Sequence, residues 1–244
     1  MARLYGKKED IDTDSVKSFF NSRAEKDVEN LMTITSYQTN DIVNKRQEVE
    51  IELISEKIDF NEKKILEIGC GLGRWAEFFH DKCDSYVGID YSENLISIAK
   101  AHFNYPNCNF ERLSIAEMNK NTLPLEGPFD IIFITGVLLY LNDSDIETVV
   151  EKINDLSHDA SIIYIRDSVS LIDTRLTLKD FYSDLLEVDY NAIYRTEDEL
   201  MGFFKNIENV ESVEKEEIFH DLHDHEETSF EYFIFRKGNG EFIE

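Results

Sequence analysis

The sequence predicts a Rossmann-like α/β fold: a doubly wound, mostly parallel sheet of seven strands with an antiparallel hairpin at its C-terminal end. Three observations lead to this prediction. Five short apolar runs alternate with amphipathic helical segments after residue 64. A glycine-rich turn joins the first of these runs to the first helical segment. The last two apolar runs are separated by only about ten residues, which is too few for a crossover helix.

The elements follow in chain order. Residues 1–60 are predicted as an N-terminal helical cap, because apolar side chains such as Val16, Phe19 and Phe20 recur at near-helical spacing. The predicted strands of the main domain, residues 61–244, are 65–68, 86–89, 110–113, 131–135, 162–165, 213–219 and 230–235. The predicted helices between them are 74–81, 93–103 and 145–156, the first with a buried face of Trp75, Phe78 and Phe79.

Residues 168–208, between the fifth and sixth strands, are predicted as a helical lid. Two capping boxes indicate helix starts, Ser144-x-x-Glu147 before the third crossover helix and Thr196-x-x-Glu199 within the lid. These boxes satisfy the free N–H groups of a first helical turn.

The chain carries a large acidic excess, with 51 Asp and Glu against 25 Lys and Arg and a formal net charge of −26. A surface of this sign repels polyphosphates and anionic lipids, so a small-molecule partner is favoured over nucleic acid or membrane. The three cysteines are scattered, the N-terminus has no apolar leader segment, and the most apolar stretch, residues 131–141, is too short to span a bilayer. These features predict a cytoplasmic protein with reduced cysteines.

The turn after the first strand has the pattern Gly69-x-Gly71-x-Gly73. Glycines permit a sharp turn and let a ligand approach the backbone closely. Asp90 ends the second strand 21 residues after Gly69, where its carboxylate can accept both hydroxyls of a ribose. Nicotinamide-dependent oxidoreductases share this layout, but their third glycine would stand at Arg74 of this chain.

Together with Glu67, which suits a cationic ligand better than a pyrophosphate, this pattern resembles motif I and the following acidic motif of class I S-adenosylmethionine-dependent methyltransferases. The resemblance covers roughly residues 64–236 and implies S-adenosylmethionine as the cofactor. It implies these cofactor-binding residues: Arg23, Tyr37, Glu67, Gly69, Cys70, Gly71, Gly73, Asp90, Tyr91, Ser114, Ile115, Thr135 and Gly136. Arg23 and Tyr37 would lie near the methionine carboxylate. Ser114 stands where the family usually has an acidic residue, and its hydroxyl can still accept a hydrogen bond from the adenine.

Acceptor-side candidates lie beyond the carboxyl ends of the fourth and fifth strands, where open α/β sheets bind ligands. Tyr140 and Asp167 are candidate catalytic residues that would accept a proton, since this chain lacks the histidine that many relatives have after the fourth strand. Candidates for binding the acceptor are Arg166, Tyr190, Tyr194 and Arg195, with Arg175 nearby. Arginines in so acidic a chain favour an anionic acceptor, although each has an alternative role as the partner of a carboxylate. An acceptor that is already ionised would need no base.

At a finer level the chain is similar to small bacterial methyltransferases of capsule and surface-polysaccharide biosynthesis. The matching segments are residues 18–26, Tyr37 and Gln38, Arg46, 177–183 and 192–196. This similarity implies methyl transfer to a small anionic acceptor: a sugar nucleotide, a sugar, or a phosphate or phosphoramidate group. The alternatives are an NAD(P)-dependent oxidoreductase and a non-catalytic regulatory protein that binds S-adenosylmethionine.

The sequence leaves several properties open. His220, His223 and His225 lie in the turn between the last two strands, but polar residues suit such a turn without a ligand, so no metal is predicted. The identity of the acceptor, O- or N-methylation and the oligomeric state are not predicted.

Overall fold

The computed structural model describes residues 2–26, 40–183, 188–222 and 226–238. Its elements in chain order are β1 (Ala2–Tyr5), α1 (Thr13–Lys26), α2 (Asn40–Lys57), β2 (Lys64–Ile68), α3 (Arg74–Phe79), β3 (Ser85–Asp90), α4 (Glu93–His102), β4 (Cys108–Arg112), β5 (Phe129–Thr135), a 3₁₀ turn (Leu138–Tyr140), α5 (Asp143–Leu156), β6 (Ser157–Ser170), β7 (Leu176–Ser183), β8 (Val188–Tyr194), α6 (Glu197–Phe204), β9 (Val210–Ile218) and β10 (Thr228–Lys237). None of the helices in these ranges combines the length and the apolarity of a membrane span.

The larger of two sheets has seven strands in the order β4-β3-β2-β5-β6-β10-β9. Its strands β2 to β6 are parallel, whereas β10 lies antiparallel to β6 and β9 antiparallel to β10. The predicted mostly parallel fold with an antiparallel C-terminal hairpin is therefore confirmed. The strand order reverses between β2 and β5, and ligands of such sheets bind at the carboxyl ends of the strands beside this reversal.

Helices cover both faces of the larger sheet. α5 and α6 pack on one face, through side chains that include Val149 and Phe204. α2, α3 and α4 pack on the other face, through side chains that include Ile54, Trp75 and Phe79. Trp75 is fully buried and lies against Phe79, as predicted for the first crossover helix. Aromatic side chains bury roughly 150–250 Å² each, so this face contributes much of the hydrophobic stabilisation.

The N-terminal segment contains the expected helices but begins with a strand. α1 buries Phe19 and Phe20 against a cluster that includes Leu72 of the glycine loop. β1 has no counterpart among the predicted elements. It pairs antiparallel with β7, with Tyr5 opposite Leu176.

The predicted helical lid at residues 168–208 is wrong for most of its length. β6 continues into it, and β7 and β8 form with β1 a three-stranded antiparallel sheet in the order β1-β7-β8. Leu176 and Leu178 on β7 join Tyr190 and Ala192 on β8 in one apolar cluster. Positions i and i+2 on the same face are the period of a strand, and this period, not a helical one, decides the structure. In this segment only α6 is helical among the described residues.

One of the two predicted capping boxes is confirmed. Thr196 Oγ1 accepts a hydrogen bond from the Glu199 N–H at 3.2 Å, and the Glu199 carboxylate accepts the Thr196 N–H at 3.3 Å, so α6 begins where predicted. α5 begins two residues earlier than its predicted box. Its N-cap is Asn142, whose N–H donates to Asp145 at 3.1 Å.

Candidate active site

A cavity of about 620 Å³ opens at the carboxyl ends of β2, β3, β4 and β5, beside the reversal of strand order. This volume lies within the roughly 300–1,000 Å³ of small-molecule sites. The predicted site residues that line it are Glu67, Gly69, Cys70, Gly71, Asp90, Tyr91, Ser114, Ile115, Thr135, Gly136, Tyr140, Arg166, Tyr190 and Tyr194. The fold thus brings residues of the expected cofactor side and acceptor side into one space.

The loop between β2 and α3 takes its shape from three glycines. Gly69, Gly71 and Gly73 have φ angles of 75°, 53° and 76°, in the left-handed region that favours glycine. A Cβ at Gly69 would lie 2.4 Å from a methyl carbon of Val137, and one at Gly73 would lie 2.5 Å from the Phe110 ring. Gly69 and Gly71 form part of the cavity wall, whereas Gly73 lies among packed side chains behind it.

Asp90 lies at the end of β3, beside the glycine loop. One of its carboxylate oxygens accepts the Gly71 N–H at 3.0 Å, and the other accepts the Ser92 N–H at 2.8 Å. Burial raises the pKa of Asp90 to about 6, although these hydrogen bonds act in the opposite direction. Each oxygen has capacity for a further hydrogen bond, so the ionised carboxylate can accept two hydroxyls of a ribose.

Glu67 is a buried carboxyl group of the cavity wall and accepts a hydrogen bond from the Tyr86 hydroxyl. Burial raises its pKa to about 7, while the Tyr86 hydrogen bond and the charge of Arg74 lower it to a smaller extent. A cationic ligand would favour the ionised form of the Glu67 carboxyl group. Burial and the proximity of Glu67 raise the pKa of the neighbouring Cys70 thiol well above its ordinary value, so Cys70 is not a nucleophile.

At the end of the cavity next to β4, a carboxylate lies close to Ser114. The Ser114 hydroxyl donates to Glu117 at 2.8 Å, and its backbone N–H donates to the same oxygen at 3.0 Å. These hydrogen bonds lower the pKa of Glu117. Glu117 lines the cavity and supplies the acidic group that is missing at position 114. The sequence analysis did not identify Glu117, although its position three residues after Ser114 could have indicated it.

Thr135 and Gly136 end β5 beside the glycine loop. Thr135 Oγ1 accepts a hydrogen bond from Trp75 Nε1 at 3.3 Å, which connects this strand end to the start of α3. Gly136 has a φ of 67°, and its N–H donates to the Arg166 carbonyl at 2.8 Å. A Cβ at Gly136 would lie 3.3 Å from Arg166 Nη1, so the guanidinium group lies directly below this turn.

Arg166 lines the cavity but already has a carboxylate partner. Its Nε and Nη2 donate to the two oxygens of Glu50 at 3.0 and 3.2 Å, and the Tyr164 hydroxyl donates to Glu50 at 2.8 Å. Both charged side chains are buried. The prediction that Arg166 binds the acceptor therefore applies only to its Nη1, and Glu50 of α2 is the partner that the sequence analysis did not identify.

Asp167 has a structural role, which corrects its assignment as a proton acceptor. Its carboxylate accepts three backbone N–H groups: Val137 at 3.0 Å, Leu138 at 2.6 Å and Ser168 at 2.7 Å. It is 1% exposed, and it is not among the described residues that line the cavity. Asp167 thereby positions the turn that carries Tyr140.

Arg195 and Arg175 also have structural roles, which corrects the assignment of Arg195 as an acceptor-binding residue. Arg195 is 1% exposed, donates to Asp143 at 2.7 and 2.9 Å, and donates to the carbonyls of Leu138 at 3.0 Å and Leu141 at 2.7 Å. Arg175 donates to Asp143 at 3.0 and 3.2 Å. Among the described residues, neither arginine belongs to the cavity lining. Both arginines connect β7 and β8 to the start of α5 through Asp143. They therefore have the alternative role given above, that of partners of a carboxylate.

Three tyrosines, Tyr140, Tyr190 and Tyr194, line the side of the cavity where the acceptor is predicted. The hydroxyls of Tyr140 and Tyr190 lie 3.1 Å apart, and the Tyr140 ring packs edge-on against Phe20 of α1 at 5.0 Å. Burial raises the pKa of the Tyr194 hydroxyl. Each of the three hydroxyls can donate a hydrogen bond.

The remaining predicted residues have different positions. Tyr91 lines the cavity, with the Lys17 ammonium group 6.0 Å from its ring. Arg23 lies over the Phe19 ring at 5.6 Å and is outside the cavity lining as far as the described residues define it. Tyr37 lies outside the described residues, as do His223 and His225, so the predictions for these three residues are not tested.

Three cavity arginines, Arg46, Arg74 and Arg112, were not predicted as site residues. Arg46 of α2 donates its Nε to the Leu222 carbonyl at 3.0 Å and lies 4.8 Å from the Phe230 ring. Arg46 stands four residues before Glu50 on the same helix. This i, i+4 spacing could have indicated that the two side chains lie on one face of the helix. Arg74 opens α3 and faces the cavity directly after the glycine loop.

Comparison with known proteins agrees with this geometry. Residues 65–159 match a family described as a methyltransferase domain. The matched segment is less than half of the chain. Phosphoethanolamine N-methyltransferase 1 of Arabidopsis thaliana is 26% identical over 119 residues, which are 48% of this chain and 24% of the plant protein. The chain thus spans about a quarter of the length of that relative.

Solved structures share the fold of this chain. The complex of DhpI with SAH has a TM-score of 0.63 at 16% identity and covers 93% of this chain and 97% of that chain. Phosphoethanolamine N-methyltransferase 1 of Haemonchus contortus has a TM-score of 0.68 at 14% identity. The match covers 94% of this chain and 50% of the Haemonchus chain. The predicted methyltransferase-like fold is confirmed, and the family match over residues 65–159 agrees with S-adenosylmethionine as the predicted cofactor. The capsule and surface-polysaccharide subtype stays a prediction.

The residues present fit this cofactor. Asp90 offers two buried carboxylate oxygens for the ribose, and Gly71, which has no Cβ, lets a ligand approach the loop backbone closely. Glu67 offers a carboxylate for the ammonium group of the methionine part, and Glu117 lies beside the predicted adenine end. The ribose, the ammonium group and the adenine of the cofactor therefore each have a polar candidate partner in the cavity wall.

Replacing Asp90 by alanine should weaken S-adenosylhomocysteine binding by about 1.5–3 kcal/mol, or about 10- to 150-fold, because charge-assisted hydrogen bonds to the ribose are lost. Calorimetry measures this change. Asp130→Ala is the matched control, because Asp130 also accepts a backbone N–H, that of Lys64 at 2.8 Å, at the opposite end of the sheet. Asp90 does not bind the ribose if both variants retain full affinity.

The raised pKa of Asp90 also gives binding a dependence on pH. Because its pKa in the folded protein, about 6, lies above the ordinary 3.8, its ionisation opposes folding as pH rises from 3.8 to about 6. The bound ribose requires the ionised form, so affinity should fall about tenfold from pH 7 to pH 5. Glu67 titrates in the same range, so the contribution of Asp90 is the part of this slope that Asp90→Asn removes.

Proposed function

We propose that the protein transfers a methyl group from S-adenosylmethionine to a small anionic acceptor. The observation that carries this proposal is the continuity of the cavity, which has the glycine loop and Asp90 on one side and Tyr140, Tyr190 and Tyr194 on the other. Relatives named phosphoethanolamine N-methyltransferases have, by that name, an acceptor with a phosphate group, which supports an anionic acceptor.

When bound, S-adenosylmethionine supplies a methyl group on a positively charged sulfur. The contribution of this chain is to align an acceptor lone pair with that methyl group and to exclude water. The tyrosine hydroxyls offer hydrogen-bond donors to an anion, and Arg166 and Arg46 add positive charge nearby. Phe20, packed against the Tyr140 ring, closes this side of the cavity toward α1.

The acceptor side offers few candidates for a general base. The carboxylate of Asp167 is occupied by three backbone N–H groups, and a phenol such as Tyr140, with an ordinary pKa near 10, is a poor base at pH 7. This supports an acceptor atom that carries no proton to remove, such as an oxygen of a phosphate or phosphoramidate group. Such groups fit a sugar nucleotide or a related intermediate of bacterial surface-glycan synthesis.

Tyr140→Phe should therefore retain kcat within about tenfold, and kcat should change little from pH 6 to 9, because no proton leaves an ionised acceptor. Steady-state rates at saturating acceptor and saturating S-adenosylmethionine measure both properties. Tyr182→Phe, with an exposed side chain on β7, is the control for a lost phenol elsewhere. A hundredfold loss in Tyr140→Phe, or a rate that follows one ionisation, would instead identify a neutral hydroxyl as the acceptor.

Transfer of a labelled methyl group from S-adenosylmethionine to phosphoethanolamine and to a panel of nucleotide sugars tests the proposed function directly. We expect turnover with at least one anionic acceptor. Tight S-adenosylhomocysteine binding without turnover on any acceptor would favour the non-catalytic alternative. Binding of NAD in place of S-adenosylhomocysteine, followed by the fluorescence of Trp75, would favour the oxidoreductase.

A further inference from the structure

Arg74 is the first residue of α3 and stands directly after the last glycine of the loop. Its side chain lines the cavity. The Trp75 indole next to it donates to Thr135 at the end of β5, so the start of α3 is held against the strand end where the methionine part of the cofactor is expected. Arg74 therefore starts the helix that follows β2, and its neighbour Trp75 connects this helix start to the end of β5.

Within residues 2–26, 40–183, 188–222 and 226–238, the Arg74 guanidinium has no hydrogen bond and no carboxylate within 4 Å, and the contact found is with the Trp75 ring at 5.9 Å. The other cavity arginines differ. Arg166 is paired with Glu50, Arg46 donates to the Leu222 carbonyl, and Arg112 is exposed beside β4.

The carboxylates that influence Arg74 have other partners. Glu50 accepts Arg166 and Tyr164, and Glu67 accepts Tyr86. Burial and the like charge of Arg166 lower the pKa of Arg74, which shows that the guanidinium lies in an environment that opposes its positive charge. A bound anion would remove this opposition. A guanidinium binds a carboxylate through two parallel N–H groups, and several of its five N–H groups are available here.

We propose that Arg74 binds the carboxylate of the cofactor's amino-acid part, next to Glu67 as the partner of its ammonium group. This inference rests on the proposed function, since it assigns a group of the same cofactor. Glu67 and Arg74 are separated only by the glycine loop and both line the cavity, so together they present opposite charges to a zwitterion. Arg74 thus takes the role that the sequence resemblance implied for Arg23.

The test compares two ligands that differ only in the amino-acid part. S-adenosylhomocysteine contains it, whereas 5′-methylthioadenosine keeps the adenosine and the sulfur without it. Arg74→Gln should weaken S-adenosylhomocysteine by about 10- to 100-fold in calorimetry and change methylthioadenosine by less than about twofold. Arg112→Gln, the same substitution at an exposed cavity arginine, should leave the ratio of the two affinities unchanged.

Three other results would overturn this assignment. Equal losses for both ligands would mean that Arg74 maintains the shape of the loop. Unchanged affinity for both ligands together with a higher KM for the acceptor would mean that Arg74 binds the acceptor's anion. If the wild-type protein binds neither ligand, the proposed function itself fails. Arg74→Lys provides a second variant should the glutamine variant not fold: it keeps the charge but not the paired N–H groups, so we expect a smaller loss, again confined to S-adenosylhomocysteine.

Discussion

Gly71→Val is expected to abolish S-adenosylhomocysteine binding. Gly71 has a φ of 53°, and a β-branched residue is strongly disfavoured there. The substitution would push the loop backbone out of place, including the N–H that Asp90 accepts at 3.0 Å, and it would add three carbon atoms to the cavity wall. Both effects act on the surface that the cofactor must approach, so the loss should exceed that of Asp90→Ala.

The fluorescence of Trp75, the single tryptophan of the chain, measures this loss in a titration. Gly202→Val is the matched control, because Gly202 lies in α6 and a Cβ there would meet nothing within 4 Å. This control should bind normally. Wild-type affinity in Gly71→Val would mean that the glycine loop is not the cofactor site.

Arg195→Met should lower the free energy of unfolding by about 2–6 kcal/mol, because a buried carbonyl left without its donor costs about 1–3 kcal/mol and two carbonyls lose theirs. The substitution leaves Asp143 with one arginine fewer and leaves the carbonyls of Leu138 and Leu141 without the donors they have at 3.0 and 2.7 Å. Methionine preserves much of the side-chain volume, so the loss reports on the hydrogen bonds and the charge.

Chemical denaturation measures this change, and Arg3→Met is the control. Arg3 pairs with Glu227 at the surface, where the two side chains are 41% and 35% exposed, and such pairs contribute at most about 1 kcal/mol. A stable Arg195→Met with a raised KM for the acceptor would restore the sequence-based assignment of Arg195 to acceptor binding.

The cofactor half of the site could be predicted because its signals are local. The glycines, Glu67 and Asp90 lie within 24 residues, and the alternation of strands and helices around them determines which strand ends they occupy. The type of residue in this half also restricts its role, since alternating glycines destabilise a helix start unless a close approach requires them.

The acceptor half was harder to predict because its contacts are distant in sequence. Asp167 accepts N–H groups that lie 29 and 30 residues earlier in the chain, and Arg195 donates to carbonyls 54 and 57 residues earlier. Nothing in the neighbouring sequence distinguishes an arginine that binds a ligand from one that binds a backbone turn. The identity of β7 and β8 as strands depends in the same way on pairing with each other and with β1.

The pairing of β1 with β7 has a consequence for the order of folding. Tyr5 pairs with Leu176, about 170 residues later, so β1 can dock only after nearly three quarters of the chain is present. Bringing such distant segments together costs more loop-closure entropy than forming neighbouring βα units, and such contacts form slowly. We therefore expect the glycine loop and Asp90 to assemble early. The small sheet whose strand β8 carries Tyr190 and Tyr194 should be completed last, when β1 from the start of the chain pairs with β7.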